Sequence, residues 1–71
     1  MNKKEIGARI TALRGSIPRA VLAEDLGISV SALQMYELGE RIPRDEIKLK
    51  IARRFNRSVQ SIFFDEQNHE T

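Results

Sequence analysis

Gly15, Pro18, Gly27, Gly39 and Pro43 cut this sequence into short segments, and within each segment the apolar residues recur at helical spacing. No run alternates apolar and polar residues between turn signals, so strands are not expected. There are no internal repeats and no low-complexity stretches. At 71 residues the chain has room for one domain with a modest core. It has no cysteine, and its single histidine, His69, lies in a polar terminal stretch, which excludes a disulfide framework and a zinc site. Stability must come from closely packed helices or from self-association.

The first helix is predicted from Asn2 or Lys3 to Arg14, with Ile6, Ile10 and Leu13 on one face and Gly15 at its end. Pro18, whose preset φ suits a first turn, is predicted to open a second helix to Leu26, with Leu22, Ala23 and Leu26 inward. After the Gly27-Ile28 turn, Ser29 can cap a third helix over Val30 to Leu38, with Leu33 inside and Gly39 closing it. Pro43 is predicted to open a fourth helix, with Asp45 and Glu46 in the first turn, where the helix dipole favours acids. Ile47, Ile51, Ala52 and Phe55 form its inner face; Lys48, Lys50, Arg53, Arg54 and Arg57 read mostly as its wet side. Asn56 suits a left-handed stop. Ser58 caps a last short helix through Phe63, with Val59, Ile62 and Phe63 facing the core. Tyr36 reads as core edge. Phe64 is harder to bury and stays open between a dimer contact and a fold-back onto the domain. The domain is expected to occupy residues 1–64, followed by an acidic polar tail at 65–71.

Charge is distributed unevenly. All twelve Lys and Arg lie between Lys3 and Arg57, among seven acids, whereas the last fourteen residues hold three acids and no cation. A basic body suits a polyanion partner. By itself it suits a merely soluble surface as well.

The informative segment is Leu22-Ala23-Glu24-Asp25-Leu26-Gly27-Ile28-Ser29. Two short helices meet there: Ala23 is small enough to let them approach, Gly27 permits the reversal and Ile28 plugs the corner. Those are the requirements of a helix-turn-helix, whose second helix stands proud of the body.

Together, Leu22-Ala23, Leu26-Gly27-Ile28-Ser29, Leu33, Tyr36-Glu37, Gly39, Pro43, Ile51-Ala52, Ser58-Val59 and Ile62-Phe63 resemble the Cro/CI-type helix-turn-helix domain, or XRE family. The likeness runs from Ile6 to Phe63. It implies an all-α, compact, five-helix, lambda-repressor-like domain that binds DNA, similar to the small regulators of temperate phages, with no effector-sensing or protease domain following. The chain departs from the family in three places. The link between Arg14 and Arg19 is about two residues short; Arg19 stands where Gln often touches phosphate; Leu38 stands where Asn often precedes the glycine.

The resemblance and helical geometry place Val30, Ser31, Gln34 and Met35 on the base-reading face. The Gln34 amide can both accept from and donate to adenine. Ser31 can pair with several bases or a phosphate, and Val30 and Met35 offer apolar contact. Arg19, Arg41 and Arg44 are the phosphate-contact candidates, aided by backbone N–H groups at the start of the second helix. The resemblance further implies an Arg14–Glu37 ion pair that fixes the recognition helix.

The expected function is a sequence-specific DNA-binding regulator of the Cro-like repressor type, acting as a homodimer on a double-stranded operator. The competing reading is an antirepressor or antitoxin that captures a partner phage-type repressor protein, motivated by the apolar Val30, Met35 and Leu38. No nucleophile constellation or phosphate-cradling glycine loop is present, so an enzyme is not expected. No cofactor, metal, membrane or small-molecule partner is called for. The expected location is the bacterial cytoplasm, with phage or prophage origin in keeping with the resemblance.

Overall fold

The computed structural model describes residues 2–64, which form five helices and no strand. The acidic stretch at 65–71, and with it the expected domain boundary, lies outside the described residues.

Helix α1 spans Lys3–Arg14. Asn2 caps it: its Oδ1 accepts from the N–H groups of Lys4 and Glu5 at 2.9 and 3.1 Å, satisfying donors that the helix leaves unpaired. Helix α2 spans Arg19–Leu26 and α3 spans Val30–Glu37. Gly27 joins them at φ 70°, ψ 31°, the left-handed region where a side chain is strained. The Ile28 N–H reaches back to the Ala23 carbonyl at 3.0 Å and completes the reversal. Ser29 Oγ accepts from the Ala32 N–H at 3.0 Å and starts α3. Helix α4 spans Asp45–Arg54, and after Asn56, at φ 56°, the chain turns into α5, a π-wound helix over Gln60–Phe64.

Helix α1 packs on α3, α2 packs on both α3 and α4, and α5 closes against α1. The shared core is Ile6, Ile10, Leu22, Ala23, Leu26, Leu33, Tyr36, Ile47, Ile51, Ala52, Ile62 and Phe63. Its residues come from every helix, so no helix buries its apolar stripe alone. Side chains tie the elements together at the rim. Arg54 Nε donates to Asp25 Oδ2 at 2.9 Å between α4 and α2, and Arg9 Nη1 donates to the Ile62 carbonyl at 2.8 Å between α1 and α5.

Three expectations need correction. Pro18 does not lie in the first turn of α2; it is the capping residue, at φ −60° and ψ 143°. Its ring sets φ alone, and an extended ψ takes it out of the helix. Pro43 does not open α4, which begins after Arg44; its ring is fully buried as a packing element instead. Lys48 is not on the wet side. It is 8 % exposed, with Nζ 5.8 and 5.1 Å from the ring centroids of Phe63 and Phe64 and 3.5 Å from Asp45 Oδ1. Its stem packs while its charge finds aromatic faces and a carboxylate. Among the described residues, no helix is long and apolar enough to cross a membrane.

The tightest approach is between α1 and α3. A Cβ placed on Gly7 would lie 2.6 Å from the Tyr36 carbonyl oxygen and 2.9 Å from the Glu37 carbonyl carbon. These are backbone atoms, so nothing flexible can yield, and α3 must shift. Gly7→Ala is therefore expected to destabilise the fold by about 2 kcal/mol or more, as overpacking does. Urea unfolding followed by circular dichroism checks this; an unchanged midpoint would show that the helices have slack.

Candidate nucleic-acid interface

Helix α3 has two unlike sides. Leu33, Tyr36 and Glu37 are buried, Leu33 completely. Val30, Ser31, Gln34 and Leu38 are exposed, and Met35 is half-buried. At 1.5 Å rise and 3.6 residues per turn, Val30, Ser31 and Gln34 lie along one outward stripe over the first turn and a half. The helix is held by its inner side and displays its outer one.

Cations border this stripe. The loop from α3 to α4 carries Arg41 and Arg44, both exposed. Arg41 Nη1 lies 4.0 Å from Met35 Sδ, which brings that guanidinium beside α3. Arg44 is the capping residue of α4 and makes no side-chain cap bond there. A cavity of about 300 Å³ lies between α3 and this loop, with Tyr36, Arg41 and Arg44 on its wall. Arg19 begins α2 and reaches Glu37, the last residue of α3. Val30, Ser31 and Gln34 are thus exposed on α3, Arg41 lies against Met35, Arg44 lines the adjoining cavity, and Arg19 bonds to the last residue of the helix.

Beneath them lies a charge cluster. Arg14 donates through Nε to Glu37 Oε2 at 2.6 Å and through Nη2 to Oε1 at 3.1 Å, a two-bond fork. Its Nη1 donates to the Ile17 carbonyl at 3.0 Å, which secures the short link between α1 and α2. Arg19 adds a third bond, Nε to Glu37 Oε1 at 2.9 Å. The Glu37 side chain is only 2 % exposed. Burial by itself would push its carboxyl up, but the hydrogen bonds and charges of the two arginines outweigh burial and hold it below the ordinary carboxylate value. Arg14 shifts upward in turn, chiefly through its hydrogen bond to Glu37.

The Arg14–Glu37 pair is the one the family resemblance implies; the bond from Arg19 adds to it, and helical period gives no sign of it because it joins two different helices. Gly39 is more than the helix stop that the sequence predicts. It also lies under Lys4, whose Nζ donates to the Leu38 carbonyl at 3.2 Å and caps the end of α3. Among the described residues, no group of three or more His, Cys, Asp or Glu side chains is placed to hold a metal ion.

A sequence profile described as helix-turn-helix matches residues 13–62, most of the chain. The chain belongs to the helix-turn-helix family. Among solved structures, this helix-turn-helix chain is similar to the DNA-binding domain of the P22 C2 repressor. Identity is 26 % and the TM-score 0.79, covering 100 % of this chain and 96 % of that one. It is also similar in fold to LexA, an SOS-response transcriptional repressor from Eubacterium rectale. There the identity is 17 % and the TM-score 0.84, over 99 % of this chain and 77 % of that one. No curated protein matches it in sequence.

The lowered Glu37 value has a pH consequence. A carboxylate whose folded value is depressed contributes stability that is fully present above its unfolded value and lost as pH falls through the folded one. The unmodified chain should therefore lose stability on acidification below the ordinary carboxylate range. Glu37→Gln should cost about 3 kcal/mol at neutral pH, because it strands a largely buried Arg14. It should also flatten the acid limb of the stability curve. Chemical unfolding of both proteins from neutral pH into strong acid checks this; a gap between them that does not narrow on acidification would be the contrary result.

Proposed function

We propose that this chain is a DNA-binding transcriptional regulator of the Cro-like repressor type that inserts α3 into the major groove. The family match and the likeness to the P22 C2 repressor DNA-binding domain support the DNA-binding regulator. The observation that supports the finer reading is the exposed stripe of α3, with Arg41 against Met35, Arg44 on the adjoining cavity wall and Arg19 bonded to the end of the same helix. An α-helix fits the major groove, and arginines close to it can reach the phosphate backbones that border the groove.

In this reading Gln34 and Ser31 pair with base edges, Val30 and Met35 make apolar contacts such as with a thymine methyl, and the three arginines bind phosphate. Two copies on a near-palindromic operator would place their α3 helices one DNA turn apart, about 34 Å. The domain proper is taken as residues 1–64.

A second reading is favoured by one observation: Val30 at the start of α3 is 44 % and Leu38, the capping residue at its end, 48 % exposed. An apolar surface there also suits capture of a partner phage-type repressor protein, as an antirepressor or antitoxin does. Val30→Asp or Met35→Glu would then abolish co-purification of that partner.

Selection of duplexes from a random library by the full chain tests the first reading. It should yield a common half-site, with affinity falling steeply as salt rises. Gln34→Ala should lose about 1–3 kcal/mol of discrimination at one base pair and leave the others unchanged. A library that returns no preferred sequence at low salt would overturn sequence-specific binding.

A further inference from the structure

We infer that Arg19 is a two-sided bridge: its Nε edge is held by Glu37 while its Nη edge clamps a DNA backbone phosphate. Glu37 is then a positioning residue for phosphate recognition. The inference rests on the DNA-binding reading above and adds to it which protein group orients the clamp.

The two arginines on Glu37 are not equivalent. Arg14 uses Nε, Nη1 and Nη2 on Glu37 and on the Ile17 carbonyl, and its side chain is 15 % exposed. It has little left to offer a ligand. Arg19 gives Glu37 its Nε alone, and its side chain is 40 % exposed. A guanidinium is a rigid plane with five N–H donors, so holding the Nε edge narrows the directions open to the two Nη groups.

Charge leads to the same place. Two guanidinium groups and one carboxylate leave one surplus positive charge. Burial of Arg14 and Glu37 moves that surplus outward, to Arg19. The carboxylate beneath a phosphate site would otherwise repel the ligand; here it is neutralised and orients a cation instead. Glu37 ends α3 and Arg19 begins α2, so a phosphate on Arg19 is connected through a single side chain to the helix that reads bases.

The test uses the full chain and the duplex it selects. Arg19→Lys keeps the charge but replaces the two-edged plane with a point charge. It should bind about tenfold more weakly, the worth of one charge-assisted hydrogen bond, with an unchanged salt slope between about 50 and 200 mM. Arg19→Gln should weaken binding further and reduce that slope by about 0.9, the release expected for one phosphate. Heat unfolding shows whether each variant is folded at the assay temperature.

A second readout needs no folded variant. The Arg19 Nε–H resonance of the ¹⁵N-labelled unmodified chain should keep its position when the duplex is added, while its Nη resonances shift. Arg19→Lys binding as tightly as the unmodified chain would overturn the bridge and leave the DNA-binding reading intact. So would an Nε–H resonance that moves to its solvent-exposed position on DNA. An unmodified chain that binds no duplex would remove the DNA-binding reading and the bridge together.

Discussion

The two-arginine grip on Glu37 is the contact on which the geometry of this domain depends. Arg14 reaches it from the end of α1, Arg19 from the start of α2, and Glu37 itself ends α3. Three helix termini and the link between the first two are thereby referred to one carboxylate. A buried ion cluster is poor evidence for net stability, because desolvation offsets much of the attraction. Its contribution here is orientation: an apolar contact would tolerate rotation about the α3 axis, whereas a forked, planar pairing does not.

Local chemistry prepares the helices for that grip. Ser29 and Asn2 satisfy the opening turns of α3 and α1, and Lys4 covers the carbonyl that ends α3. Gly7 then lets the α1 backbone approach the last turn of α3 more closely than any side chain allows. Caps define where the helices begin and end, the glycine sets their separation, and the ion cluster sets their rotation. Each acts on a different degree of freedom, so none replaces another.

Much of this was legible in the sequence where the signal is local. Gly15, Gly27, Gly39 and Asn56 all take positive φ at helix ends, as residues tolerant of that region should. The inward residues Ile6, Ile10, Leu22, Leu33, Ile47 and Ile51 follow from period alone. The outward stripe of α3 is the complement of the same pattern. The prolines stand one and two residues ahead of the helices they are expected to open, because a preset φ says nothing of ψ: Pro18 caps and Pro43 packs. Lys48 was read as wet because pattern assigns polarity by residue type, and its aromatic partners lie in another helix. The π winding of α5 was out of reach, since five residues are too few to tell one helical period from another. The bond from Arg19 to Glu37, like the Lys48 contact, joins two helices, where period is silent; the Arg14–Glu37 pair is legible only through the family resemblance.

The division of α3 into a clasped side and a displayed side also bears on how such a protein can change. Leu33, Tyr36 and Glu37 are burdened with the architecture, while Val30, Ser31 and Gln34 touch little of it. Substitutions at the latter three remove few core contacts, so the exposed side can vary without first repairing the fold. The helix carries two independent texts, one frozen and one open to rewriting, and the second can diverge freely while the first keeps it aimed.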